Sequence, residues 1–141
     1  MAVSMSLSKD MELVALRLEL LRSECWAGVG VSDGESMGPG GDFLVGECES
    51  TSASSARLVR PQDFNGPPIQ QQDFGWMQAS GRCATGSSTY NFQRSLSWLS
   101  DHESLLWAHC SSSGTRSLAF HGSSHGRLNL TMMIADAQVA L

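Results

Sequence analysis

Lysine is almost absent from this chain: Lys9 stands alone against eight arginines. That scarcity removes the phosphate-gripping lysine of a P-loop and the Schiff-base lysine of a catalytic cleft. Tyrosine is represented by one residue and isoleucine by two. No apolar run approaches the roughly 18 residues that a membrane-spanning helix needs. No C-x-x-C pair occurs, which excludes the usual zinc-finger spacing. The stretch Leu13–Leu21 is interrupted by Arg17 and Glu19, so it does not read as the apolar centre of a signal peptide. The expectation is a soluble chain of the cytoplasm or nucleus, with Cys25, Cys48, Cys83 and Cys110 as reduced thiols.

What is abundant is small and polar. Ser, Gly, Gln and Pro supply 48 of 141 residues without a repeat, whereas Leu, Ile, Val and Phe supply 30. Such a composition buries little apolar surface to offset the entropy of fixing a backbone. The charge is uneven too. Residues 23–56 hold six acids and no Lys or Arg, while 57–141 hold six Arg and five acids. An acidic segment repels nucleic-acid phosphates, so no nucleic-acid partner is expected. The residue usage also resembles translation of a GC-rich reading frame, which leaves open a chain without selected function.

The expected fold is therefore mostly irregular, low-complexity and disordered, with α+β fragments in four stretches. Residues 1–26 hold an N-terminal amphipathic helix over 8–26. Ser8 is its N-cap, Leu13, Leu16 and Leu20 form one stripe, and Gly28 and Gly30 stop it. A rival pattern is present: Leu16-Arg17-Leu18-Glu19-Leu20 alternates with a period of two, as a strand does. Helix propensity favours the first reading. Residues 27–60 read as an acidic flexible segment with a short strand at Asp42–Gly46, and 61–99 as irregular chain. The last stretch, 100–141, combines a short helix over 101–110, opened by a Ser100/Glu103 capping box, with a β-hairpin. The hairpin pairs Ser117–His121 with Arg127–Met133, and Ile134–Leu141 forms a fraying terminal helix.

Several motifs carry chemistry in other settings. Gly122-Ser123-Ser124-His125-Gly126 matches a nucleophile elbow, but only 17 residues follow Ser124, too few for an acid and a histidine in hydrolase order. Asp73-Phe74-Gly75 lacks the other kinase elements. Asp33-Gly34-Glu35 places Met37 and Leu44 where a calcium loop needs oxygen ligands. Gly28-Val29-Gly30 meets Asp33 where a dinucleotide fingerprint needs glycine. Asn129-Leu130-Thr131 fits the N-glycosylation pattern, which stays idle without secretion.

The functional expectation is a non-enzymatic protein without a cofactor. It acts on an unidentified protein partner through Leu13, Leu16 and Leu20, with no membrane contact and an open oligomeric state. Ser97, three residues after Arg94, is the candidate phosphorylation site. The alternative is a metal site built from Cys83, Cys110, His121 and His125.

Overall fold

Ser, Thr, Leu and Val alternate over much of this chain, and a period of two is what a half-buried strand requires. The computed structural model describes residues 1–22, 25–31, 42–50, 53–60, 69–70, 76–110 and 124–141, with the backbone alone at 42, 48–50, 53–60, 69–70 and 76–79. Ten strands and two helices lie among the described residues. They are β1 (Ala2–Leu7), β2 (Leu13–Leu20), β3 (Ala27–Val31), β4 (Asp42–Ser50), β5 (Ala53–Arg60), β6 (Ile69–Gln70), β7 (Trp76–Ala84), β8 (Ser87–Ser95), α1 (Leu96–Ser100), β9 (Ser104–His109), β10 (His125–Asn129) and α2 (Leu130–Val139). The strands form two antiparallel sheets, ordered β1-β2-β8-β7 and β10-β9-β3-β4-β5-β6. Packed face to face they make a β-sandwich.

The irregular, disordered fold expected from composition is overturned by these two sheets. The reason lies in how few apolar residues a sandwich needs when alternation sends nearly all of them inward. In β2, Val14, Leu16, Leu18 and Leu20 are at most 3% exposed, while Arg17 and Glu19 face solvent and pair at 2.6 Å. In β8 the same alternation buries Ser88, Tyr90, Phe92 and Arg94. Leu16 is in register with Met5 and Phe92, and Leu18 with Val3 and Tyr90, so one apolar face runs across three strands.

The N-terminal helix is accordingly replaced by β1, a turn and β2. Propensity differences favouring helix amount to a few tenths of a kcal/mol per residue, whereas burying one leucine contributes ~2 kcal/mol, so tertiary burial decides. The residues read as a helix start close the turn instead. The Ser8 hydroxyl bonds to the Asp10 carboxylate and accepts from Leu13 N at 3.0 Å; Asp10 Oδ1 accepts from Glu12 N at 3.1 Å. Met11 takes the positive φ of 58° that the reversal needs. Side chains that cap helices also stabilise turns, by the same bonds to backbone N–H groups.

Three further expectations change. The helix expected over 101–110 is strand β9, and a helix, α1, precedes it at Leu96–Ser100. The run Leu105-Leu106-Trp107-Ala108 is apolar on both faces, a pattern that periodicity alone does not resolve. Arg127–Asn129 is a strand, but its described partner is β9, and Leu130–Val139 is helical; Ser117–His121 lies outside the described residues. Gly28 and Gly30 lie within β3 rather than stopping a helix. The short strand expected at Asp42–Gly46 lies inside β4.

The sheets approach closely where Gly46 of β4 faces Tyr90 of β8. A Cβ at Gly46 would sit 2.1 Å from Tyr90 Cδ1, well inside van der Waals contact. Gly46→Ala should therefore lower unfolding stability by ~2 kcal/mol or more through overpacking. Urea denaturation of the purified variant checks this, with Gly86→Ala, where no atom lies within 4 Å of the added carbon but φ is +81°, as a comparison for backbone effects alone.

Candidate functional site

Cys25 lies two residues before the start of β3 and Cys110 immediately follows β9. Those strands are neighbours, with Ala27 opposite His109, and Cys110 N donates to Trp26 O at 3.1 Å. The ladder thus brings the two sulfurs together, and they form a disulfide with a Cα–Cα distance of 5.5 Å across a sequence separation of 85. Both cysteines are fully buried. Cys83 is disulfide-bonded as well. The reduced thiols expected from the sequence are corrected by these bonds. Closing a loop of this length contributes ~4 kcal/mol by restricting the unfolded chain.

Tyr90 lies beside both bonds. Its hydroxyl donates to Cys25 O at 2.8 Å, which ties the four-stranded sheet to the chain just before β3, and it lies 4.0 Å from Cys83 Sγ. Burial raises the phenol pKa far above its usual value; the Ser88 hydroxyl opposes this, and the Glu47 carboxylate adds to it. His109 extends the cluster, with Nδ1 2.7 Å from Cys110 O and its ring stacked on Trp107 at 5.9 Å.

A second feature lies on the other face of the six-stranded sheet. Residues in register across a ladder share a face. Val29, Leu44 and Trp107 are in register, as are Ala27, Gly46 and His109, and Gly46 faces Tyr90, so these residues look toward the opposing sheet. The intervening residues look the other way: Gly28 and Gly30 of β3, Phe43 and Val45 of β4, and Leu106 and Ala108 of β9. This outer face is apolar and closed to solvent. Phe43, Val45, Leu106 and Ala108 are at most 4% exposed, and both glycines are buried. β3 is thus buried on both sides. Its glycines leave a strip without side chains, where even a Cβ at Gly28 would lie 3.0 Å from Val45 Cγ2. Larger side chains flank that strip on β4 and β9. At β10 the same face opens, where His125, Arg127 and Asn129 are exposed.

The residues expected to act are scattered. Leu16 and Leu20 are core residues and unavailable to a partner, while Leu13 is half-buried. Leu13 and exposed Ser97 line one open cleft of about 720 Å³, together with Glu12, Leu96 and Ile134. Arg94 does not present itself with Ser97: it is 5% exposed, and its guanidinium sits 3.2 Å over the Trp98 ring. Of the metal candidates, Cys83 and Cys110 are committed to disulfides, His125 is exposed on β10, and His121 lies outside the described residues. Cys25, His109 and Cys110 have donor atoms within 4.8 Å of one another, but the S–S bond removes both thiolates. Ser124 lies just before β10 with no acid–histidine pair arranged around it among the described residues. The calcium-like and kinase-like tripeptides lie outside the described residues.

Sequence reasoning passed over Tyr90, the outer-face glycines and the Cys25–Cys110 pairing. The alternation Ser88, Tyr90, Phe92, Arg94 was the one available signal for β8. The cysteine pairing carried none, because partners 85 residues apart are chosen by strand order.

No family model and no curated protein matches this chain. Among solved structures, the cytochrome domain of Myriococcum thermophilum cellobiose dehydrogenase is similar in fold. The TM-score is 0.60 at 12% identity, over 89% of this chain and 72% of that one. The likeness establishes the class of architecture, a cytochrome-domain-type β-sandwich, and at this identity nothing finer.

Two outcomes test the cluster. The purified chain should show no reactive thiol before reduction, and Cys25→Ser with Cys110→Ser should lower the unfolding free energy by ~4 kcal/mol, measured by urea titration. Because Tyr90 keeps its proton in the folded state to a higher pH than in the unfolded chain, its contribution is complete below pH ~10 and falls as pH rises beyond it. Tyr90→Phe should remove that alkaline loss and cost ~1–2 kcal/mol at neutral pH through loss of the buried bond to the Cys25 carbonyl. Denaturation at stepped alkaline pH, with the disulfides checked by mass, reads both.

Proposed function

We propose that this domain is a non-enzymatic electron carrier that binds haem on the outer face of the six-stranded sheet. The observation that carries the reading is the buried apolar strip of Gly28 and Gly30 between Phe43/Val45 and Leu106/Ala108. A flat apolar ring would rest on this bare backbone between bordering side chains, in place of the part of the chain that closes the face to solvent. A sandwich with both faces of one strand buried also exceeds what packing of the two sheets alone requires. The likeness to a cytochrome domain supports the same reading at the level of fold.

The donor chemistry fits. Haem iron in cytochromes is held by histidine and methionine. Two connections join the strands of this face, 32–41 between β3 and β4 and 111–123 between β9 and β10, and by sequence they contain Met37 and His121. By residue type they are the iron donors to test first, and both lie outside the described residues. A bound haem supplies one-electron exchange. The protein's part is to exclude water through Phe43, Val45, Leu106 and Ala108, and to hold the sheet rigid through the Cys25–Cys110 bond beside it. His121 thus returns as a ligand candidate with a different partner and a different metal from the zinc alternative.

The disulfides support an oxidising compartment rather than the cytoplasm or nucleus. No helix among the described residues is long and apolar enough to cross a membrane.

Reconstitution tests the proposal. The oxidised, folded chain titrated with haemin should take up one equivalent, show a sharp Soret band, and shift to a reduced spectrum with dithionite. Met37→Ala and His121→Ala should each change the spectrum and weaken retention roughly tenfold or more, in line with loss of a metal ligand's support. Gly30→Leu should block uptake by filling the strip. A folded chain that takes up no haem above a bovine-albumin-like non-specific level would overturn the reading.

A further inference from the structure

The Asn129-Leu130-Thr131 pattern sits where the last strand of the six-stranded sheet becomes α2, and its three side chains divide cleanly. Leu130 is fully buried and anchors the junction, with its N–H donating to Glu103 O at 3.0 Å. Asn129 and Thr131 on either side are exposed. Asn129 also caps the helix: its Oδ1 accepts from Met132 N at 3.0 Å. A backbone N–H needs an oxygen acceptor, so the bond fixes which way the amide is turned. Nδ2 is left on the far side and donates no hydrogen bond to a described residue. The atom that a glycan would modify is thus solvent-facing, and the capping atom is a different one.

We infer that Asn129 is an N-glycosylation site. The inference rests on the oxidising compartment argued above from the disulfides, and is independent of haem. The co-substrate is an oligosaccharide on a lipid pyrophosphate. Nδ2 forms a bond to the sugar C1, the C1–O bond to the pyrophosphate breaks, the lipid pyrophosphate leaves, and the amide nitrogen gives up one proton. The pattern is read while 129–131 is extended, before α2 forms. The folded structure then keeps the product without loss, because the Oδ1 cap survives modification at Nδ2.

The position suggests what the glycan does. β10 ends the sheet order, and among the described residues no strand lies on its far side. Its outward row His125, Arg127 and Asn129 is exposed. An unprotected edge strand invites pairing with a second chain. A bulky, hydrated group on the last residue of that strand obstructs such pairing while leaving the β9 side untouched.

Secretion of the full chain from a eukaryotic host, behind a cleavable leader, tests the site. The expected product carries one N-glycan at Asn129 on most molecules, located by peptide mapping and released by peptide-N-glycosidase. Thr131→Ala, which leaves the cap intact, should abolish it; Asn129→Asp, which replaces one good capping side chain by another, should do the same. Both should keep the Cys25–Cys110 bond and should self-associate more than the glycosylated chain, read by light scattering. An unmodified Asn129 in chains whose Cys25–Cys110 bond has formed overturns the proposal alone. An unmodified Asn129 with that bond absent overturns the compartment reading and the proposal together.

Discussion

Tyr90 holds the two sheets at the separation on which the rest of the structure depends. Its ring fills the space left by Gly46, and its hydroxyl reaches Cys25 O at 2.8 Å. Ring contact and hydrogen bond act in different directions. The first sets the spacing of the sheets, and the second fixes their lateral offset. Because the phenol is fully buried, the bond is worth more than its counterpart in water, and its loss would take one donor from the Cys25 carbonyl. The disulfide at Cys25 then transmits this constraint along the strand ladder to β9.

From that anchoring follows the unusual position of β3. Its inward residues Ala27, Val29 and Val31 belong to the inter-sheet core, and its outward glycines lie under a second buried layer. A small domain in which Leu, Ile, Val and Phe supply only 30 of 141 residues has little apolar material to spare. It nonetheless commits Phe43 and Leu106, both outside the inter-sheet cluster, to that second layer. Packing between the two sheets does not by itself account for this second layer. The disulfides and the exposed Asn129 at the sheet edge concern a different property, the environment in which such a domain matures.

Much of β2 was visible in the residues themselves. Arg17 and Glu19 between Leu16, Leu18 and Leu20 alternate as a strand must, and the competing helical stripe through Leu13, Leu16 and Leu20 arises because leucines are frequent enough to satisfy both periods. Ser8 and Asp10 misdirected the reading, since the bonds that cap a helix also close a turn. The β9 run, apolar on both faces, carried no periodicity to read. Tyr90 and Phe92 in β8 were legible as alternation but not as a core. The candidate site was less legible still, because it combines three strands separated in sequence by up to 80 residues, and the spacing of its glycines resembles a broken nucleotide motif.

Composition and local pattern by themselves determined the alternation of strands such as β2 and β8, the local bonds that close the turn at Ser8–Glu12, the absence of a long apolar helix among the described residues and the positions of the four cysteines. Only the tertiary structure decided which period the leucines obey, which cysteines meet, and which face of β3 lies under Tyr90. The physical reason is the range of the forces involved. Hydrogen bonds from Ser8 or Asn129 reach a few residues and are written locally, whereas burial of Leu16 or Phe43 and closure of Cys25 on Cys110 depend on strands brought together from distant parts of the chain.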